Sequence, residues 1–569
     1  MLTPRKPPRR LTLKAARRSA LALVLTLAVG RLVACSSDQP AVTNNGVPGP
    51  DASSGGSSGS ATAGASGTGT GGSSGSATAG AGGSATAGAG GSSGDASGGS
   101  GGSATAGVGG DVAGGAGGGD AGQETIACSS LPGTVVYVES GDTQENLLKN
   151  LGRHLRDTAD ITLAFNLTGS CTLTNDIYTG AKMVPNGTLK FIPSTAEDPN
   201  WTPSLAEPTC TTPADGAPID VAISALFVQS CGLGEPPAGS NLALVQGPIQ
   251  AYTFIVPTAS DQTAIWAEEA YYTFGFGNDN PLAPSYDPWN NDQFMFIRPT
   301  TKSTLVATAK NIAVPPNKWK GVPEAASNDV VNAVAMSSMA EQSIGILGAE
   351  VYDANRAKNT IRTLAFQAFG EKGAYFPDST LTAFDKQNVR DGHYTLWSPT
   401  VYIAKVDGSN VPTNPAVKLL LDLVGSDDVS TSDGGAPFDG LADVVKVGLI
   451  PTCAMQVART EDGGDLSSFQ PASPCTCYYL SKITGATGAP AGCAACAGSA
   501  DCTSAGTTCS HGYCEPATLT AQGGNDGGAG CFGGTPTTHE QIINACTPAQ
   551  AIDKTVVLPN GDGGLEPLP

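Results

Sequence analysis

From residue 134 onward the apolar positions change period repeatedly. TVVYVESG (134–141) is rich in β-branched residues and ends in a glycine turn, which reads as a strand. DTQENLLKNLGRHLRD then sets Leu147, Leu148, Leu151 and Leu155 on one helical face, with Asp142 or Thr143 as its cap. ITLAFNLTGSC is the next strand and turn, and IDVAISALFV and AYTFIVP are two more strands. Helices are expected over 303–313, 327–340 and 358–369, then a strand in TLWSPTVYIAKV. Such alternation predicts an α/β fold with covered sheets and ligands at the strand-to-helix turns.

Upstream the pattern is different. Residues 1–18 carry seven basic side chains and no acid, and SALALVLTLAVG follows as an apolar run too short to span a bilayer stably. This is the form of a secretory signal. RRLTLK at 9–14 also fits part of a twin-arginine signal, so two export routes stay open. Residues 36–125 are mostly Gly, Ser, Ala and Thr and bury no core. As a flexible coil, ~89 such residues reach roughly 50 Å, which suits a tether. Within it Gly55-x-Ser57-x-Gly59 has the letters of a hydrolase elbow but neither its strand nor its helix.

Removing residues 1–34 takes away eight of the 30 basic residues and no acid, leaving 22 against 50 and a formal charge of −28. Nucleic acid and anionic membrane surfaces are excluded as partners on that ground. Fourteen cysteines follow Cys35, an even number suited to disulfides in an oxidising compartment, and most lie between 453 and 546. Cys493-x-x-Cys496 with Cys502, Cys509, His511 and Cys514 admits a zinc reading, but export favours a disulfide-stapled module without metal. Four histidines without metal or triad spacing give no case for an enzyme, a catalytic residue or a cofactor. In FDKQNVRDGHYTLW the charges, His393 included, read as a solvated loop rather than an acid–base site.

Two resemblances add to this. Leu32-Val33-Ala34-Cys35 resembles the lipobox of bacterial lipoproteins, which implies lipidation of Cys35, with Ser36 compatible with the outer membrane. The order of motifs over about 134–450 resembles the phosphate-binding component of ABC transporters, a type II periplasmic binding protein with two α/β lobes joined by crossing strands. VYVESGDTQENL, NLTGSC and IDVAISALF resemble its first three loops, GPIQAYTFIVPTAS the crossing, and FIRPTTKST (296–304) the arginine loop. EQSIGILGAEVYD and DGHYTLWSPTVYIAKV resemble the later strand and the return crossing.

By position in those motifs the resemblance implies that Thr143, Ser170, Ser224, Arg298, Ser303 and Thr304 hold a small anion between the lobes. Hydroxyls and helix N-termini would donate, and one guanidinium would give a two-pronged grip. Each residue also has a plainer reading. Thr143, Ser303 and Thr304 would cap helices, Ser170 would serve its turn, and Arg298 would pair with an acid of the chain. Two departures bear on the ligand. The aspartate by which the family selects phosphate is replaced in Ser224-Ala225, and the arginine loop carries Lys302-Ser303-Thr304 without its glycine.

The expected organisation is a signal peptide over 1–34, a tether over 35–125, a two-lobed binding-protein-like α/β domain over 126–474, a disulfide module over 475–550 and a tail over 551–569. The expected function is a surface-tethered solute-binding lipoprotein for a small anion. The alternative is a surface structural or adhesion protein on the same fold without a ligand.

Overall fold

In a computed structural model that describes residues 126–425, 437–516, 531–560 and 564–569, the chain begins with β1 (Thr134–Gly141), α1 (Glu145–Ala159), β2 (Ile161–Thr168) and α2 (Ser170–Thr179). Short strands β3 (Thr188–Phe191) and β4 (Thr209–Thr211) lead to β5 (Val221–Ser224) and the 16-residue β6 (Leu242–Pro257). The proposed lipidation residue Cys35, the signal and the tether lie outside the described residues.

β1 pairs in parallel with β2 and β5, and its neighbours continue through β3 to β4. Leu147, Leu148, Leu151 and Leu155 are buried as their spacing predicts, so α1 covers one face of this sheet. Leu173 and Ile177 of α2 cover the other.

The chain continues through β7 (Ala264–Trp266), α3 (Ala267–Phe276), β8 (Met295–Ile297), α4 (Ser303–Asn311), β9 (Val322–Pro323), α5 (Ser327–Ala335), β10 (Ile344–Gly348) and α6 (Ala349–Asn355). Then come β11 (Ile361–Thr363), β12 (Ala365–Gln367), α7 (Gln387–Asp391), β13 (Trp397–Lys405), α8 (Pro415–Val424) and α9 (Gly440–Lys446). β13 lies antiparallel between β5 and the first part of β6, and the last part of β6 pairs with β10 and β11. β10 adds β8 and β9 in parallel. The long strand thus belongs to both sheets, and each sheet has helices on both faces. This is the expected two-lobed α/β arrangement.

One expected helix is absent. Residues 358–369 hold only the end of a 3-10 turn, after which β11 and β12 form. Asn359 takes φ 52°, which ends the turn, and Ile361 and Thr363 then extend along β6, Thr363 opposite Ile255. β-branched residues beside an open strand edge favour pairing over helix.

All fourteen cysteines from Cys128 to Cys546 are paired. Cys477–Cys493, Cys496–Cys509, Cys502–Cys514 and Cys531–Cys546 staple the last segment, so the disulfide reading holds. The thiolates a zinc site needs are used up. Tyr479 of α10 (Thr476–Lys482) and Ile542 and Ile543 of α11 (His539–Ile543) enter the main core.

Candidate functional site

Strand-to-helix turns from both sheets converge where the sheets meet, after β1, β2, β5, β8 and β10, which is the position where open α/β sheets bind ligands. Gly141 ends β1, and a Cβ there would lie 3.7 Å from both the Thr143 and the Ser170 hydroxyl. Gly169 allows the closest approach across the gap. A Cβ there would lie 2.6 Å from the Thr301 carbonyl oxygen, which also accepts the Cys171 N–H at 3.3 Å.

Arg298 follows β8 and its side chain is fully buried. Its Nη1 donates to the Glu324 carbonyl at 2.8 Å, and its Nη2 meets Asp142 Oδ2 at 2.5 Å. Asp142 also accepts the Ser327 hydroxyl at 3.0 Å and lies 3.2 Å from Lys302 Nζ, which itself donates to the Thr168 carbonyl at 3.0 Å. Burial works against charge on Asp142, but Arg298, Lys302 and Ser327 outweigh it and hold the carboxyl below its ordinary range. Burial pulls Arg298 down from its usual value and Asp142 offsets part of that. The result is a carboxylate of the chain itself in the grip of the arginine loop.

The other expected residues divide. The Ser170 hydroxyl accepts the Ala225 N–H at 3.1 Å, and the Ser224 hydroxyl is turned to its own loop, where it accepts the Leu226 N–H at 3.2 Å. Ser303 lies beside the Tyr252 hydroxyl, which donates to the Ala225 carbonyl at 2.6 Å. Thr304 is buried in the first turn of α4. Thr143, Ser170, Arg298 and Ser303 therefore meet at one corner, while the Ser224 hydroxyl serves its own turn.

The capping expectations need correction. Among the described residues no side-chain bond caps α1 or α4: Asp142 is drawn to Arg298, the Thr143 hydroxyl has no hydrogen-bond partner, and Lys302 stands at the cap position of α4 with Ser303 and Thr304 already inside the helix. His393 is not in a solvated loop either. It is buried, its Nδ1 faces Asp391 Oδ1 at 2.8 Å, and its Nε2 faces the Ala545 carbonyl at 2.8 Å. With an acceptor on each nitrogen, the ring satisfies both as imidazolium.

Asp142, Ser327, Gln144, Gln250 and Glu350 were not expected at this site. Gln144 donates to Gln250 at 2.8 Å, and Gln250 in the shared strand donates to Glu350. Burial pushes the Glu350 carboxyl up to about 8, so it is neutral at pH 7. The sequence signal for Asp142 and Glu350 is positional, since each acid follows closely on the glycine that ends its strand.

No protein-family model matches the chain, and no curated protein matches it in sequence. Solved structures do. An ABC-type phosphate transport receptor from Vibrio cholerae is 11% identical over 55% of this chain and 99% of that one, with a TM-score of 0.35. PstS from Borrelia burgdorferi is 12% identical over 56% and 98%, with a TM-score of 0.31. The reduced OxyR regulatory domain from Pseudomonas aeruginosa is 12% identical over 51% and 96%, with a TM-score of 0.29. The fold itself, two α/β lobes that share one long strand, rests on the strand pairing described above.

Proposed function

We propose that this chain is an envelope lipoprotein, anchored through Cys35, whose solute-binding fold is held closed by its own carboxylate. In this reading it serves at the surface as a structural or adhesion domain and does not collect free oxyanions. One observation carries the proposal: Asp142 Oδ2 lies 2.5 Å from the buried Arg298 Nη2, in the place where the arginine loop would hold an anion. The guanidinium's charge is thereby spent. Lys302 and Ser327 complete the grip on the same carboxylate, as they would on a ligand.

A second reading is favoured by two buried groups. Among the described residues the Thr143 hydroxyl and Arg298 Nε have no hydrogen-bond partner, and an oxyanion that displaced Asp142 would find both as donors. In that case the chain is a small-anion receptor, without the acceptor that Ala225 lacks for choosing phosphate.

Thermal melting of the full chain against formate, sulfate and phosphate separates the readings. Under the first, the wild-type melt does not move. Asp142→Ala melts lower, because Arg298 is left buried without its counter-charge, and the same anions raise its melt by filling the vacated seat. A hundredfold excess over the dissociation constant would restore about 2.7 kcal/mol. A wild-type shift that vanishes in Arg298→Ala would overturn this reading in favour of the receptor.

A further inference from the structure

Far along the chain, residues 551–560 and 564–569 lie against the second sheet and its helices. The first of these is fixed. Ile552 bridges to Ala374, Val556 is buried, and Lys554 pairs with Glu269 while its ammonium stands 4.8 Å from the Trp289 ring centre. Residues 564–569 sit differently: none is buried, and they join no strand ladder.

Their seat is specific all the same. Tyr271 and Tyr272 of α3 hold the main chain of a single residue, since the Tyr271 hydroxyl donates to the Glu566 carbonyl at 2.5 Å and the Glu566 N–H donates to the Tyr272 hydroxyl at 3.2 Å. Lys318 donates to the Pro569 carbonyl at 2.5 Å. Leu568 stands over Gly275, where an added Cβ would come within 2.3 Å of it. A glycine inside a helix costs about 0.5–1 kcal/mol relative to alanine, and here its empty side receives a leucine. Main-chain bonds from fixed donors, one side-chain dimple and flanking prolines are the means by which grooves recognise extended peptides.

We propose that this tyrosine-lined groove is an exchangeable peptide seat, and that the occupant it takes in trans is the Leu565–Pro569 segment of a second copy of the chain. In sequence the two anchors are separated by Gly561-Asp562-Gly563-Gly564. Exchange keeps every contact of the seat and adds only the association term, the usual low-energy route to a swapped dimer. With the chain strongly acidic, exchange is favoured by salt, which screens repulsion between copies.

The test uses full-length chains in a Cys35→Ala background, where the other cysteines are disulfide-bonded. A chain carrying Gly275→Cys is mixed at high concentration with one carrying Leu568→Cys, and a short bifunctional maleimide is added. Cross-linked dimer in the mixture, and none from either chain alone, is the expected result. A mixture that stays monomeric overturns the proposal. Separately, a fluorescent peptide Gly-Gly-Leu-Glu-Pro-Leu-Pro should bind the Leu568→Asp chain at least tenfold more tightly than the wild type, whose own segment competes. Equal or absent binding overturns the seat. Peptide binding without cross-linked dimer overturns the second copy as its occupant.

Discussion

Asp142 and Arg298 are 156 positions apart, and their pairing was half legible. The arginine, the hydroxyls and the glycine turns mark an anion corner in the sequence. That the anion is the chain's own depends on how two lobes close, which no local pattern records. The pair makes an ordered prediction. Arg298→Ala leaves Asp142 with Lys302 and Ser327, whereas Asp142→Ala leaves a buried guanidinium whose one remaining hydrogen-bond acceptor among the described residues is the Glu324 carbonyl. The second should approach the ~3–5 kcal/mol typical of breaking a buried pair and the first should fall below it, as read from urea denaturation. His393 gives a pH prediction. Burial opposes its charge, but Asp391 and the Ala545 carbonyl outweigh burial and raise its pKa. Its stabilisation is therefore complete below about pH 6.5, the unfolded value, and is lost as pH rises through the folded one. Relative to wild type, His393→Gln should lose stability at pH 6 and converge toward it at pH 9.

At the scale of elements, local signals succeeded where an amphipathic face or a strand run stood alone. The four leucines placed α1, and the run in TLWSPTVYIAKV placed β13. They failed over 358–369, where apolar spacing fits a helix and only the free edge of β6 decides for a strand. The length of β6 was also hidden, because its first half is covered less evenly than AYTFIVP. One tight contact between elements is directly testable. Gly169→Ala places a methyl 2.6 Å from the Thr301 carbonyl oxygen, so the turn before α2 and the loop before α4 must part. Overpacking of this kind costs about 1–3 kcal/mol, measurable as a lower urea midpoint with an unchanged slope.

For the whole molecule, the number of cysteines anticipated the disulfides, but composition did not mark the acids the fold buries. Burial pushes Glu139 up to about 7, Asp287 to about 6 and Glu350 to about 8. Each raised value means a proton held more tightly in the folded state, so stability falls as pH climbs through these values. The chain should melt higher at pH 5.5 than at pH 8.5 by calorimetry. Membrane attachment is tested separately. Cys35→Ala should release the protein from the membrane fraction, and retention there would count against lipidation.

The carboxylate in the cleft also changes what the surroundings can do to the protein. A ligand supplied by the chain is never diluted. On the proposed reading its effective concentration at Arg298 is set by the geometry of the fold and not by the medium, so an external oxyanion competes against a carboxylate that is always present. On that reading closure would be insensitive to how much solute the medium holds. It responds to acid instead: as pH falls through the depressed pKa of Asp142, the carboxylate loses the charge that Arg298 and Lys302 grip. What drives such a cleft open is a proton.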